Sequence, residues 1–352
     1  MSQWNKYEPT AARKHGRLGR EIRPKSTTVD VHSHVGVPQA AAFVKPYLSS
    51  AAMPLVAFAD THTRALNQKQ EADILARSSL DQRLADLDAM GLDIQIIKPP
   101  PPQCYYAVPP DIAVEAARMV NDGVAEFVAR RPDRLKGFGT APMPDGNEAA
   151  KELERCVTKL GFKGVQILTN VNGKELSDPA FAQFWRKAEE LGVLVVIHPN
   201  GFTEASRLTR FYFNNIIGNP LETTIALHYL IFDGVLERHP NLKILAVHGG
   251  GYLASYSGRI DHAWGARSDS QASLPHPPTT YLRKVYFDTV VFTPHQLQAL
   301  VRLYGADHIL MGTDYPFDMA DYDPVGHVCN AGLNAESVAA ICGGNTKRLL
   351  GL

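Results

Sequence analysis

The sequence predicts a distorted (β/α)8 barrel with long loops after the first and fifth strands, and three observations predict it. Eight short runs of β-branched and aliphatic residues recur along the 352 residues, and eight is the number that closes such a barrel. Segments with apolar residues at helical spacing lie between the runs, and strand and helix in alternation imply a parallel sheet. Runs such as LVVIHP and LKILAVHG are apolar almost without interruption, as expected of parallel strands buried on both faces.

In chain order the expected strands are 28–34, 94–98, 135–140, 164–168, 194–198, 244–248, 285–289 and 309–314. The expected helices are 113–130, 147–160, 179–191, 220–238, 294–304 and 335–350, each with apolar positions three or four apart. Two stretches exceed a minimal barrel, 36–77 and 200–219. Both follow the C-terminal ends of strands, where barrel enzymes build their substrate sites. The proline run 99–102 is too short for a linker and reads as a rigid loop after the second strand.

Residues 1–26 read as a surface arm or oligomer contact and 27–352 as one barrel domain, since barrels of this type commonly reach such lengths. The arm is basic, but Glu8, Glu21, Pro9 and Pro24 argue against an amphipathic targeting helix. No apolar run approaches the roughly 18 residues of a membrane span. Hydrophobic residues make up 45% and charged residues 20%, with 36 basic against 36 acidic, so neither nucleic acid nor a charged membrane surface is an expected partner. Cys104, Cys156, Cys329 and Cys342 have no zinc-cluster spacing. They read as reduced thiols of a cytoplasmic protein, although an even count also permits disulfides.

The residues that end the strands carry the chemistry. In VDVHSHVG, His32 and His34 are two apart, so both imidazoles project to one side of a strand and can grip one cation. His198 closes LVVIHP and Asp314 closes ILMGTDYP. Three neutral imidazoles and a carboxylate suit Zn2+ or a similar cation, with room for an activated water. His248 ends the strand between those of His198 and Asp314, placed as a general base, and three glycines follow it. A lone histidine at a strand end is more often a satisfied core residue than a ligand. Five such residues in barrel order make that bland reading improbable. Gly249, Gly250 and Gly251 lack the spacing and lysine of a phosphate loop.

At these residues the chain resembles the amidohydrolase-related metal enzymes typified by 2-amino-3-carboxymuconate 6-semialdehyde decarboxylase, a group that includes γ-resorcylate and 5-carboxyvanillate decarboxylases. The resemblance runs from Thr28 to the C-terminus and is most specific in LERHPNLKILAVHGGGYLASYSGRIDHAW, YFDTVVF and ILMGTDYPF. It implies a single divalent metal, Zn2+ first and Mn2+ as the other candidate, on His32, His34, His198 and Asp314, with His248 and Asp314 catalytic. A carboxylated lysine, the bridge in two-metal relatives, has no counterpart in the fourth run, GVQILTN. The resemblance further implies substrate-binding arginines at Arg259 and Arg267, the second given across a homodimer interface. Arg64 on the long first loop is a third candidate. Tyr252, Trp264, Tyr315 and Phe317 are candidates to line a pocket for a planar acid, or equally to pack the barrel. The arm and the two long loops match the family poorly.

The leading expectation is nonoxidative decarboxylation of an aromatic or muconate-type carboxylic acid. One alternative is hydrolysis or hydration of a lactone, a C–C bond or an activated alkene by the same activated water. Another is a metal-stabilised binding protein without turnover.

Overall fold

The computed structural model describes residues 17–49, 52–271 and 273–352. All eight expected runs form strands: β1 (Val29–His34), β2 (Ile94–Lys98), β3 (Leu135–Gly137) with β4 (Gly139–Thr140), β5 (Gly164–Leu168), β8 (Leu194–His198), β9 (Lys243–Ala246), β10 (Tyr286–Asp288) and β11 (Ile309–Leu310). A small antiparallel hairpin, β6 (Asn170–Val171) and β7 (Lys174–Glu175), follows the fifth run. Parallel pairing runs β1-β2-β3 in one sheet and β11-β10-β9-β8-β5-β4 in the other. The third run is split at Phe138, whose N–H still reaches the Ile97 carbonyl at 2.8 Å. The remaining seam closes where Val31 N donates to Met311 O (2.9 Å) and His34 N to Tyr315 O (2.7 Å). The architecture is a (β/α)8 barrel.

Its interior is filled by Val29, Val31, Ile96, Phe138, Leu194, Val196, Leu245, Val247 and Leu310, while a larger apolar layer joins the outer strand faces to the helices. One irregularity matters for the site. Between Asp30 and Ser33 the register of β1 against β2 shifts, three steps on β1 matching two on β2. Such a bulge re-aims side chains. It lets His32 and His34 join a lumen that Val29 and Val31 already occupy, which strict alternation would forbid.

Helices Pro110–Ala129, Gly146–Thr158 and Pro294–Tyr304 occupy the expected positions. The segment expected at 220–238 breaks into Asn219–Phe232 and Val235–Arg238 around Gly234, whose φ of 72° lies in the left-handed region. The stretch expected to be a long first loop is instead largely helical: Pro38–Val44, Pro54–Ala57 and Thr61–Arg77, followed by Leu80–Met90. Pro38 and Pro54 open the first two, a position where a missing N–H costs nothing. The third is too polar on all sides for hydrophobic periodicity to reveal it. The stretch 200–219 stays mostly irregular, with short turns at Ala205–Arg207 and Asn214–Gly218.

Of the expected arm, residues 1–16 lie outside the described residues. Its last part packs on the barrel: Gly19 N donates to Asp323 Oδ1 at 3.0 Å, and Arg23 pairs with Asp93. None of the four cysteines is in a disulfide. No described helix is long and apolar enough to cross a membrane.

Candidate metal centre

Strand ends β1 and β8 and the turn after β11 bring His32, His34, His198 and Asp314 together, one ligand atom of each within 4.8 Å of all the others. All four are buried. In each imidazole the Nδ1 atom faces an oxygen acceptor: Asp288 Oδ2 for His32 (2.7 Å), Pro99 O for His34 (3.0 Å) and Pro199 O for His198 (2.7 Å). With Nδ1 engaged in this way, Nε2 is the ring nitrogen that each histidine turns toward the cluster. The buried Nε2 atoms of His32 and His198 have no hydrogen-bond partner. Buried polar atoms rarely stay so, and a divalent cation would satisfy both, so the donor set fits a metal.

Asp314 is the common partner, its Oδ1 lying 3.2 Å from His32 Nε2 and 3.1 Å from His34 Nε2. Its φ of 63° is left-handed, a conformation aspartate tolerates better than most residues, and Asp314 N is tied to His32 O at 2.8 Å. Burial would raise its carboxyl, but the His32 charge and the adjacent imidazoles hold it well below the usual range. Burial pushes His198 down to about 4 and His34 well below the ordinary value. Both are therefore neutral, the form a metal requires. Burial and Lys98 act to lower His32, yet Asp314 and Asp288 leave it raised. A bound divalent cation would displace its second proton.

Sequence reasoning missed the layer beneath. Asp288 belongs to the YFDTVVF block but received no role there. Beyond His32, it accepts from Gly249 N (3.0 Å) and Val290 N (3.2 Å) through Oδ1. Lys98, fully buried and pushed down to about 8 by burial, donates from Nζ to Val31 O inside the β1 bulge (2.8 Å). Arg83, also buried, donates to His34 O (2.6 Å) and Gln95 Oε1 (2.7 Å) beneath the ring of Tyr315. A lysine closing an apolar strand and an arginine at a helical core position were the available signals.

His248 follows β9 with its Nε2 3.4 Å from Asp314 Oδ2. Its φ is 54°, and Gly249, Gly250 and Gly251 also have positive φ. A Cβ at Gly249 would sit 2.3 Å from Val291 Cγ1 and one at Gly251 2.3 Å from Pro220 O, so the glycines let the turn lie flat enough for His248 to face the His32, His34, His198 and Asp314 cluster. His198, His248 and Asp314 form one end of a cavity of about 730 Å³ whose walls include Leu55, Pro101, Tyr252, Phe292 and Phe317. Phe317 also packs on His34, ring centroids 4.9 Å apart.

The three expected substrate arginines are not in this cavity lining. Arg64 and Arg259 are exposed on helices Thr61–Arg77 and Gly258–Ala266. Arg267 is 67% exposed and forms a fork with Asp269. Of the expected aromatics, Tyr252 and Phe317 line the cavity. Trp264 instead donates to Leu274 O at 3.3 Å, and Tyr315 is buried with its hydroxyl on Asp86 at 2.7 Å.

A sequence model described as Amidohydrolase matches residues 29–352. The chain belongs to the amidohydrolase family. Among its relatives, a 2-amino-3-carboxymuconate-6-semialdehyde decarboxylase of Dictyostelium discoideum is 35% identical over 77% of this chain and 76% of its own. A γ-resorcylate decarboxylase of Rhizobium radiobacter is 31% identical over 69% of this chain and 78% of its own. The amidohydrolase fold matches a 5-carboxyvanillate decarboxylase of Novosphingobium aromaticivorans, complexed with manganese and a nitrobenzoic acid, with a TM-score of 0.82 and 23% identity. That match covers 93% of this chain and 97% of the other.

Proposed function

We propose that this amidohydrolase is a metal-dependent, nonoxidative decarboxylase of an aromatic or muconate-type carboxylic acid. The observation that carries the proposal is the cluster of His32, His34, His198 and Asp314 opening, with His248, on one apolar cavity in a chain whose relatives are decarboxylases. We assign those four residues as ligands of one divalent ion and His248, beside Asp314, as the catalytic proton donor and acceptor. A bound divalent cation supplies Lewis acidity and an anchor for the substrate's oxygens. Three imidazoles favour Zn2+, with Mn2+, which a structural neighbour carries, as the competing assignment.

The residues perform the rest. The cavity walls hold the conjugated ring against the ligands and exclude water. His248, protonated, gives its proton to the ring carbon that bears the carboxylate. The C–C bond to the carboxylate then breaks, its electrons return to the ring, and neutral CO2 leaves through apolar surroundings. His248 regains a proton from solvent, so that one carboxylate and one proton become one CO2 and the protonated product.

We assign residues 27–352 to one catalytic domain and residues 1–26 to an N-terminal arm. We assign Arg259 and Arg267 to substrate binding, Arg267 across a homodimer interface, and Arg64 as a third substrate contact. Unbridged thiols accord with a cytoplasmic setting.

The test is CO2 release by reconstituted protein from a panel of muconate semialdehydes, resorcylates and vanillate-type acids. Release without incorporation of solvent oxygen supports the proposal. Products carrying solvent oxygen, without CO2, would instead establish the hydrolase or hydratase reading, and His248→Ala without effect on any measured behaviour would leave only a binding protein.

A further inference from the structure

The cavity above the ligands is large, about 730 Å³, within the range of about 300–1,000 Å³ that encloses drug-sized ligands. Its charge distribution is more informative than its size. Among the described residues that line it there is no lysine and no arginine, and apart from the ligand Asp314 the one carboxylate is Asp318. Within this chain's own cavity lining, a substrate carboxylate therefore finds a cationic partner only at the metal end.

Asp318 stands one turn beyond Asp314, in a turn closed by Phe317 N on Asp314 O at 3.1 Å. The Tyr212 hydroxyl donates to Asp318 Oδ1 at 3.4 Å and accepts from Asn215 Nδ2 at 3.2 Å. All three residues line the cavity. Tyr212 adopts a φ of 61° directly after Phe211 at 57°. Left-handed backbone is costly for a bulky residue and persists where the surroundings impose it. The result is a directed chain, Asn215 to Tyr212 to Asp318. The Tyr212 hydroxyl is directed at Asp318, and the chain ends in a carboxyl group that also receives the Gln70 side chain and is raised by burial. That end can accept from a hydroxyl or amino group and opposes a second negative charge.

Resting on the decarboxylase reading for the position of the first carboxylate, we propose that Asp318, oriented by Tyr212 and Asn215, determines substrate specificity. It selects hydroxy- or amino-substituted aryl monocarboxylic acids and disfavours dicarboxylates. A hydrogen bond to a charged group is worth about 10- to 100-fold in binding, and a like charge in the same place works against binding by a similar route.

The test is isothermal titration of the metal-reconstituted enzyme with ring-position series of hydroxybenzoates, their methyl ethers and benzenedicarboxylates. One hydroxy isomer is expected to bind about 10- to 100-fold more tightly than its methyl ether and than any dicarboxylate. Asp318→Ala should abolish the hydroxyl preference, and Asp318→Asn should tighten dicarboxylate binding while keeping part of that preference. Melting temperatures of both variants report their folding. Equal binding of hydroxy acid and ether in the wild type, a dicarboxylate as the tightest ligand, or an unchanged hydroxyl preference in a folded Asp318→Ala would each overturn the proposal. Binding is read without turnover, so a hydroxyl preference without CO2 release would remove the decarboxylase reading and leave the role of Asp318 standing.

Discussion

Replacing Asp288 by asparagine removes no metal ligand, yet the geometry makes it a severe change. One carboxylate oxygen accepts from Gly249 N and Val290 N, and the other receives the His32 Nδ1 proton at 2.7 Å. The asparagine carbonyl would keep the two backbone bonds, because only an acceptor can meet two N–H groups. Its amide nitrogen must then face His32 Nδ1, which turns that atom into an acceptor and moves the ring proton to Nε2. A protonated Nε2 cannot coordinate. Changes of this kind behind a metal ligand cost about 10- to 100-fold in affinity, and inversion of the tautomer places this one near 100-fold, or about 2.8 kcal/mol. Competition with a chromophoric chelator measures the affinity, and thermal melting of the metal-free protein checks that the fold survives. Wild-type metal affinity in a folded Asp288→Asn variant would refute the reasoning.

Other expectations follow from the same geometry. His248→Ala should retain the metal and lose about 100-fold or more in the rate of CO2 release, which single-turnover assays at saturating substrate would show. Lys98→Met leaves Val31 O in the bulge without its donor and should weaken metal binding by displacing His32, readable in the same chelator competition; unchanged affinity would remove Lys98 from the support of the site. Arg83→Ala strips buried partners from His34 O and Gln95 and should destabilise the protein by about 3 kcal/mol in denaturant titration. In the metal-free protein, His198 stays neutral down to about 4, whereas the unfolded chain takes up that proton below its ordinary value. The unfolded state then binds more protons, so stability falls as pH drops through this window. At pH 5 the loss assigned to His198 is about 2 kcal/mol, and it should vanish in His198→Asn.

The strands were legible because a parallel barrel buries both faces, so each run is uninterrupted and ends at a polar residue where the lumen opens. The cluster of His32, His34, His198 and Asp314 was legible for the same reason: His198 and Asp314 each break an apolar run, and His32 and His34 pair two apart. The 36–77 stretch was misjudged as a loop because helix Thr61–Arg77 is polar on all sides and leaves no periodic stripe. The bulge in β1 was invisible, since a register shift against β2 depends on a partner 65 residues away. Asp288 and Asp318 escaped for a related reason: each acts through contacts with distant elements, His32 in one case and Tyr212 in the other. The three arginines, taken from the resemblance alone, sit away from their own chain's cavity.

The most direct test of the metal centre is elemental analysis of the purified protein by plasma mass spectrometry, wild type beside His198→Ala and Asp314→Ala. About one zinc or manganese per chain is expected in the wild type, falling together with activity in both variants. No metal in the wild type after reconstitution, or full occupancy in both variants, would contradict the four-ligand centre on which the account rests.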